Sequence, residues 1–471
     1  MGAGMSGLCM AIALEEAGVP WVILEKSPAL GGTWWENTYP GCACDIPSHL
    51  YAFSFAPFAG WSRVYPPQPE ILAYLQRLAG ERGLLDRIRF GVEVRQARWD
   101  EATCVWRLDT SAGEVAGEVL VSAIGALHVP RWPDVPGRER FRGPSFHSAQ
   151  WDRGVELQGK RVGVIGNAAS AVQFVPEVAR QAGQLTVFQR SAHWVFPRAD
   201  FAYPRWFQAL LRLTPLQRLY RLSLWLTQEL LFLLAFGRGS WYGRLARWSQ
   251  ARRLRRLFPD PALAAALTPD YPVGCKRALL SNDYYPALKR ENVRVVPEAV
   301  TAIHEDGVET RSGRHALDVL IYATGFQPFA PVGLEVTGRG GASLRQRWGD
   351  HPRAHLGMTV PGFPNFFLLL GPHTGLGHNS VMWMVECQVR YVVRCLRALE
   401  RRRARALEVR EEALAGFQAW VERRLARKVW VDCRSWYQNQ GGQVYALWPA
   451  TTARYAWATR RPRPADFSFG A

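Results

Sequence analysis

Lysine is nearly absent from this chain. Of 471 residues, only Lys26, Lys160, Lys276, Lys289 and Lys428 carry an ε-amine, so the 58 basic side chains are almost all arginine. Acids are also scarce, 40 Asp and Glu together, which leaves a net charge of +18. Nucleic-acid binding would require that charge to gather on one face with stacking aromatics between, and no such motif accompanies it. Cysteine is sparse as well: there are eight, none in a CxxC pair, and Cys42 and Cys44 stand at a spacing that fits neither a zinc ribbon nor an easy disulfide. No basic-then-apolar leader follows Met1, which together with the cysteines predicts reduced thiols in a cytoplasmic protein. Long apolar runs are missing too. The longest, Leu222 to Phe236, contains Gln228 and Glu229 and is too short to span a bilayer. What remains, 48% hydrophobic and 21% charged, excludes disorder, and the length predicts two or three packed domains.

The amino terminus carries the first positive signal. Gly2, Gly4 and Gly7 form a GxGxxG turn that runs directly into the helical spacing of Leu8 to Leu14, and Trp21 to Leu24 then reads as a strand ending in Glu25. In a dinucleotide-binding fold, such glycines let backbone and pyrophosphate approach at a helix N-terminus, and the acid about 20 residues on accepts the ribose hydroxyls. A strand should precede the turn, and only Met1 does. The pattern predicts either a chain start set too far downstream, the preferred explanation, or a first sheet without its central strand.

A second turn of the same kind follows the strand that begins at Lys160 and runs into Gly166. It reads Gly166-Asn167-Ala168-Ala169-Ser170-Ala171, with Ala168 where the second glycine is expected, so its methyl should weaken the nucleotide contact modestly. The next strand, Leu185 to Phe188, ends at Gln189-Arg190-Ser191 with no acid. Arg190 can pair with the 2′-phosphate of NADPH, whereas a carboxylate would repel it.

Between these turns stand more specific residues. Gly32-Thr33-Trp34, Asn37, Tyr39-Pro40-Gly41, Asp45, Pro47 and Tyr51 form the run GGTWxxNxYPGxxxDxPxxxY, and Phe141, Gly143, His147, Trp151 and Asp152 form FxGxxxHxxxW followed by Asp. Together these resemble the Baeyer-Villiger monooxygenases, a group of class B flavoprotein monooxygenases. The resemblance runs through nearly the whole chain in order. It implies an α/β fold with two Rossmann-like domains: a discontinuous FAD domain from residues 1–140 and 320–471, and an NADPH domain at 141–319 with a helical insertion at about 200–270. It implies FAD and NADPH as cofactors, and insertion of one oxygen atom of O2 beside a ketone carbonyl through a C4a-peroxyflavin, giving an ester or lactone. Gly274-Cys275-Lys276-Arg277 before Tyr284-Tyr285 resembles the family segment whose arginine lies over the flavin, so Arg277 is the expected catalytic cation and Asp45 the carboxylate that orients it. A guanidinium that stays charged at working pH suits the anionic peroxide and the oxyanion it forms with a ketone. His147 is implied to couple domain movement rather than do bond chemistry. The resemblance likewise implies that Thr324 and Gly325 stand at a crossing between domains, His378 and Asn379 at a turn facing the isoalloxazine, and Trp436 on a loop contacting NADP.

Two alternatives stand beside this reading. One is an N- or S-oxygenating enzyme of the same class, and the other a non-catalytic or membrane-associated protein that keeps the fold. The second draws on residues 201–256, where eleven arginines face one acid, Glu229. A solvated helical insertion is the plainer expectation for that stretch. Docking on an acidic membrane or partner is the less favoured one. Substrate identity and oligomeric state are not legible.

Overall fold

The computed structural model describes residues 1–329 and 334–470. The first nucleotide-binding unit opens with helix α1 (Met5–Glu16), followed by strands β1 (Ile23–Glu25), β2 (Ile88–Phe90) and β3 (Leu120–Ser122). The chain then crosses to a second unit. This contains β4 (Ser145–His147), β5 (Arg161–Ile165), helix α2 (Ala169–Gln181), β6 (Gln184–Phe188), a helical arm with α3 (Thr214–Ala235) and α4 (Trp241–Leu257), then β7 (Val293–Val296) and β8 (Val319–Tyr322). It returns to the first unit through β9 (Phe366–Leu368), α5 (Val381–Arg402) and α6 (Thr452–Ala458).

The second sheet is fully parallel in the order β7-β6-β5-β8-β4. All of β8, and β5 and β6 after their first residues, are buried, as expected of strands covered on both faces. Strand order reverses between β5 and β8, and a crevice at the carboxyl ends of such strands is where open α/β sheets hold ligands. Gly166 follows β5 there, and a Cβ on it would lie 2.3 Å from the Ala323 carbonyl oxygen at the end of β8. No side chain can occupy that position without moving one of the two strands.

The first sheet is in two halves, β1 with β2 and β9 with β3, each pair parallel. Met1 and Gly2 lie between them. The Met1 ammonium donates to the Val121 carbonyl at 2.8 Å, the Ala123 amide donates to the Met1 carbonyl at 2.9 Å, and the Gly2 amide donates to the Leu24 carbonyl at 2.8 Å. These bonds carry α1 to the position that a dinucleotide turn requires, although Met1 belongs to no strand.

Two expectations change. The thiols are not all reduced: Cys275 and Cys433, 158 residues apart, form a disulfide. Their loops converge at the site described below, and no spacing rule could have paired them. Cys9, Cys42, Cys44, Cys387 and Cys395 are buried thiols. The arginine-rich arm is helical, but its surface is not simply solvated polar side chain, because it exposes Trp206, Trp241, Trp248 and a row of leucines. Its single acid, Glu229, is buried.

Candidate active site

The first cradle forms where Gly4 and Gly32 meet. Gly4 stands at the start of α1 with no side chain capping the helix, and a Cβ on Gly32 would fall 3.0 Å from the Gly4 Cα. The helix N-terminus is therefore open to an anion and bare of side chains. Gly2 and Gly7 flank the same turn. Buried Glu25 accepts the Ala3 amide at 2.6 Å and the Ser27 amide at 2.8 Å, which fixes its carboxylate at the end of β1 beside the glycine turn. The short helix Thr33–Glu36 begins at Gly32. Thr33 is exposed, while Trp34 is buried with its indole N–H unpaired and its ring edge-on to Tyr51 at 5.6 Å. A cradle bare of side chains, a helix start with no side-chain cap and the buried indole N–H of Trp34 together fit a dinucleotide such as FAD.

The rest of this segment locks onto the second unit. The Asn37 side-chain amide donates to the Thr33 carbonyl at 2.9 Å. The Tyr39 hydroxyl donates to Gln173 Oε1 at 2.8 Å, and Gln173 Nε2 donates to the Ala43 carbonyl at 2.9 Å. Gln173 sits on α2 and was not singled out from the sequence. It lies on the polar stripe of that helix with Ser170 and Glu177, which does not mark it as a partner of another unit.

In the second cradle, Asn167 Nδ2 donates to Gln189 Oε1 at 2.8 Å and to the Ser191 carbonyl at 3.0 Å, so the turn after β5 is tied to the loop after β6. Ala168 is the N-cap of α2 and offers no side-chain hydrogen bond, which leaves that helix end open as well. Ser170 lies half-buried in the first turn of α2, and Ala171 is fully buried. Arg190 is exposed at the end of β6. Lys276 lies close enough for their charges to interact: burial lowers the lysine pKa, Asp270 opposes that and Arg190 adds to it. Two cations near one strand end suit a phosphate better than either does alone. Lys276 was missed because it reads only as the neighbour of Arg277.

Arg277 and Asp45 bring the units together. Arg277 Nε donates to Asp45 Oδ2 at 2.7 Å and Nη2 to Oδ1 at 2.6 Å, while Nη1 reaches the Leu376 carbonyl at 3.3 Å. A guanidinium has five N–H donors, so two remain uncommitted. Asp45 raises the Arg277 pKa above its usual value, against the effect of burial, so the side chain stays cationic. Burial alone would raise the Asp45 carboxyl, but the charge and hydrogen bonds of Arg277 outweigh it and hold the group below the ordinary range. Tyr437 is buried near the pair, its pKa pushed up to about 12 by burial, whereas Trp436 is 41% exposed, its ring tilted against Tyr437 with centroids 4.6 Å apart. The Cys275–Cys433 bond joins the two loops that carry these residues.

Glu229 is the second hub. From α3 it accepts Asn379 Nδ2 at 2.8 Å, the Thr452 hydroxyl at 2.8 Å, the Thr452 amide at 3.0 Å and His378 Nε2 at 3.4 Å. Burial would raise the Glu229 pKa, but these donors outweigh it and lower it. Burial also lowers the His378 pKa, with Glu229 opposing, and the ring stacks on Phe232 at 4.2 Å. Glu229 was read as one acid in a basic helix, and its isolation among eleven arginines was the available signal.

The fingerprint residues support the crossing between units. Gly143 is pinned beside the Asp318 carbonyl, where a Cβ would lie at 2.3 Å. Phe141 and His147 are buried. His147 Nδ1 accepts the Ala149 amide at 3.1 Å, and the ring sits edge-on to Trp132 and Phe326. Burial lowers its pKa to about 4, so the ring is neutral near pH 7. Trp151 meets Phe146 and Phe174, and Asp152 accepts the Gly154 amide at 2.8 Å. The Arg131 amide donates to the Gly325 carbonyl at 2.9 Å and the Thr324 hydroxyl donates to the Arg131 carbonyl, which ties the two crossing segments side by side.

Comparison with known proteins agrees with this geometry. Residues 1–214 match the Pyridine nucleotide-disulphide oxidoreductase family. A Baeyer-Villiger monooxygenase of Streptomyces coelicolor is 40% identical over 99% of this chain and 91% of its own length. The chain belongs to the Baeyer-Villiger monooxygenases. Among solved structures of this family's fold, an oxidized steroid monooxygenase bound to NADP has a TM-score of 0.87 at 30% identity, covering 100% of this chain and 98% of that one. A crystal structure of OTEMO complexed with FAD and NADP has a TM-score of 0.89 at 26% identity, with the same coverage. This Baeyer-Villiger family member thus has its two uncapped helix starts, on α1 and α2, in the setting of a two-nucleotide flavoprotein.

Proposed function

We propose that the chain is an FAD- and NADPH-dependent monooxygenase that inserts one oxygen atom of O2 beside a ketone carbonyl and releases an ester or lactone. The observation that carries this reading is the bidentate Arg277–Asp45 pair, which leaves two guanidinium donors free where both nucleotide units converge. When bound, FAD reduced by NADPH supplies the activated oxygen, and the chain supplies binding, orientation and charge. Gly4, Gly32, Glu25 and Trp34 would hold the FAD, and Gly166, Asn167, Ala168, Arg190 and Lys276 the NADPH. Arg277 stabilises negative charge on the attacking oxygen and on the carbonyl oxygen as it is attacked. Preorganised donors of this kind contribute about 10²–10³ in rate. Asp45 keeps the guanidinium plane in place, so the donors need no reorganisation during the reaction. Boundaries near residues 140 and 320 separate the FAD and NADPH domains in this reading, and a cytoplasmic setting belongs to it as well.

The test is a panel of cyclic, linear and aromatic ketones incubated with FAD-loaded protein, NADPH and air. Esters or lactones carrying ¹⁸O from labelled O2 support the proposal. NADPH oxidation with no ester from any ketone, or oxygenation of sulfides and amines alone, defeats it.

A further inference from the structure

Helix α3 has two unlike faces. Glu229, Phe232 and Ala235 turn inward, while Leu219, Leu222, Leu226, Leu230 and Leu233, three or four residues apart, are 48% to 63% exposed. The neighbouring α4 adds Trp241, Leu245 and Trp248, each more than half exposed. One exposed leucine is ordinary, but an unbroken stripe of five over roughly four helical turns is not.

The exposed charge that the arm itself carries is of one sign. Glu229 is the only acid in residues 201–256, and it is committed to Thr452, Asn379 and His378 on the inner side. Arg212, Arg218, Arg244, Arg247, Arg252 and Arg255 are exposed, and none of them forms an ion pair among the described residues. Residues 201–256 therefore offer leucine, tryptophan and guanidinium outward with no exposed carboxylate of their own, and Asp432, which reaches Arg238 from outside the arm, is paired with it.

That combination selects its partner. A second copy of this face would set arginine against arginine, and a nucleic acid would neutralise the arginines but leave the leucines in water. An anionic lipid surface satisfies both groups, taking leucines at the acyl boundary, tryptophans at the interface and guanidinium groups among the phosphates. No described helix is long and apolar enough to cross a membrane, so the arm would lie on the surface. We propose that the α3–α4 arm docks on anionic lipid bilayers, with the Leu219 to Leu233 stripe immersed at the headgroup boundary. The inner face of the same helix holds Phe232 against His378, so docking would place the candidate site one helix away from the lipid.

The experiment is flotation of the full-length, FAD-loaded protein with vesicles of phosphatidylcholine alone or mixed with phosphatidylglycerol. Binding should be roughly tenfold or more stronger to the phosphatidylglycerol vesicles and should fall with added salt. Leu219→Gln/Leu226→Gln/Leu233→Gln and Arg244→Gln/Arg247→Gln/Arg252→Gln should each lower that binding by roughly tenfold or more. Both variants should keep the flavin absorption band and unchanged turnover of a water-soluble ketone. Absence of flotation, equal binding to both vesicles, full binding by the leucine variant, or a dimer that the leucine variant splits would each overturn the proposal.

Discussion

Glu229→Gln tests whether the helical arm is structurally wired to the candidate site. The carboxylate accepts four contacts, three on Oε1 from Asn379, the Thr452 hydroxyl and His378, and the Thr452 amide mainly on Oε2. Glutamine keeps the shape but can present only one carbonyl oxygen. If that oxygen stays with the three-donor side, its NH2 faces the buried Thr452 amide, donor against donor. An unsatisfied buried N–H costs about 1–3 kcal/mol, and each charge-assisted bond made neutral loses about 1 kcal/mol more. Relief from burying the charge offsets part of this, leaving a net loss of about 3 kcal/mol. Unfolding entropy of about 2.1 cal/mol/K per residue comes to roughly 1 kcal/mol/K for this chain, so the midpoint should drop by about 3 °C. Differential scanning fluorimetry of the FAD-loaded proteins reads this directly. A midpoint within about 0.5 °C of the parent would refute the argument, because it would mean the four bonds do not form.

Asp45→Asn should leave FAD bound but free the Arg277 side chain to turn, lowering ester formed per NADPH consumed by roughly 10–100-fold; product yield against hydrogen peroxide release measures it. Arg190→Ala should raise the KM for NADPH by roughly tenfold without changing that for NADH, since only NADPH carries the 2′-phosphate. Ala168→Gly should lower the KM for NADPH a few-fold by removing the methyl from the turn after β5, and initial-rate kinetics would expose an unchanged value. Acid should destabilise the fold. Burial lowers His49, His147, His355 and His373 to about 4, so below pH 6.5 the unfolded chain binds protons that the folded chain does not, and stability falls from pH 6.5 to pH 4. Denaturant midpoints measured across that window should decline steadily with falling pH, and a flat profile would contradict the buried, neutral histidines.

Much of the site was readable where function constrains local sequence. Glu25 follows the glycine turn at a fixed distance because one helix and one strand, α1 and β1, lie between them, so spacing located it. The Asp45–Arg277 pair spans 232 residues, and only resemblance to a family motif could connect its members. Glu229, Gln173 and the Cys275–Cys433 bond escaped for a common reason. Each partner lies on an element whose pattern reports its own burial, while the contact depends on how two units pack. The arm was legible as helix from its richness in Leu, Trp and Arg and from the resemblance, yet its outer leucines were not, since a helix rich in leucine on several sides does not say which side is covered. The join of the first sheet at Met1 and Gly2 was likewise hidden, because hydrogen bonds to Val121, Ala123 and Leu24 leave no mark in the two residues that make them.

The central claim is that Arg277, held by Asp45, provides the charge on which oxygen transfer depends. Its most direct measurement is ester yield from a turned-over ketone by FAD-loaded Arg277→Ala, with NADPH oxidation followed in parallel. The account predicts an intact flavin band, continued NADPH oxidation and ester formation reduced by about 10²–10³. Ester formation at the parent rate would contradict it.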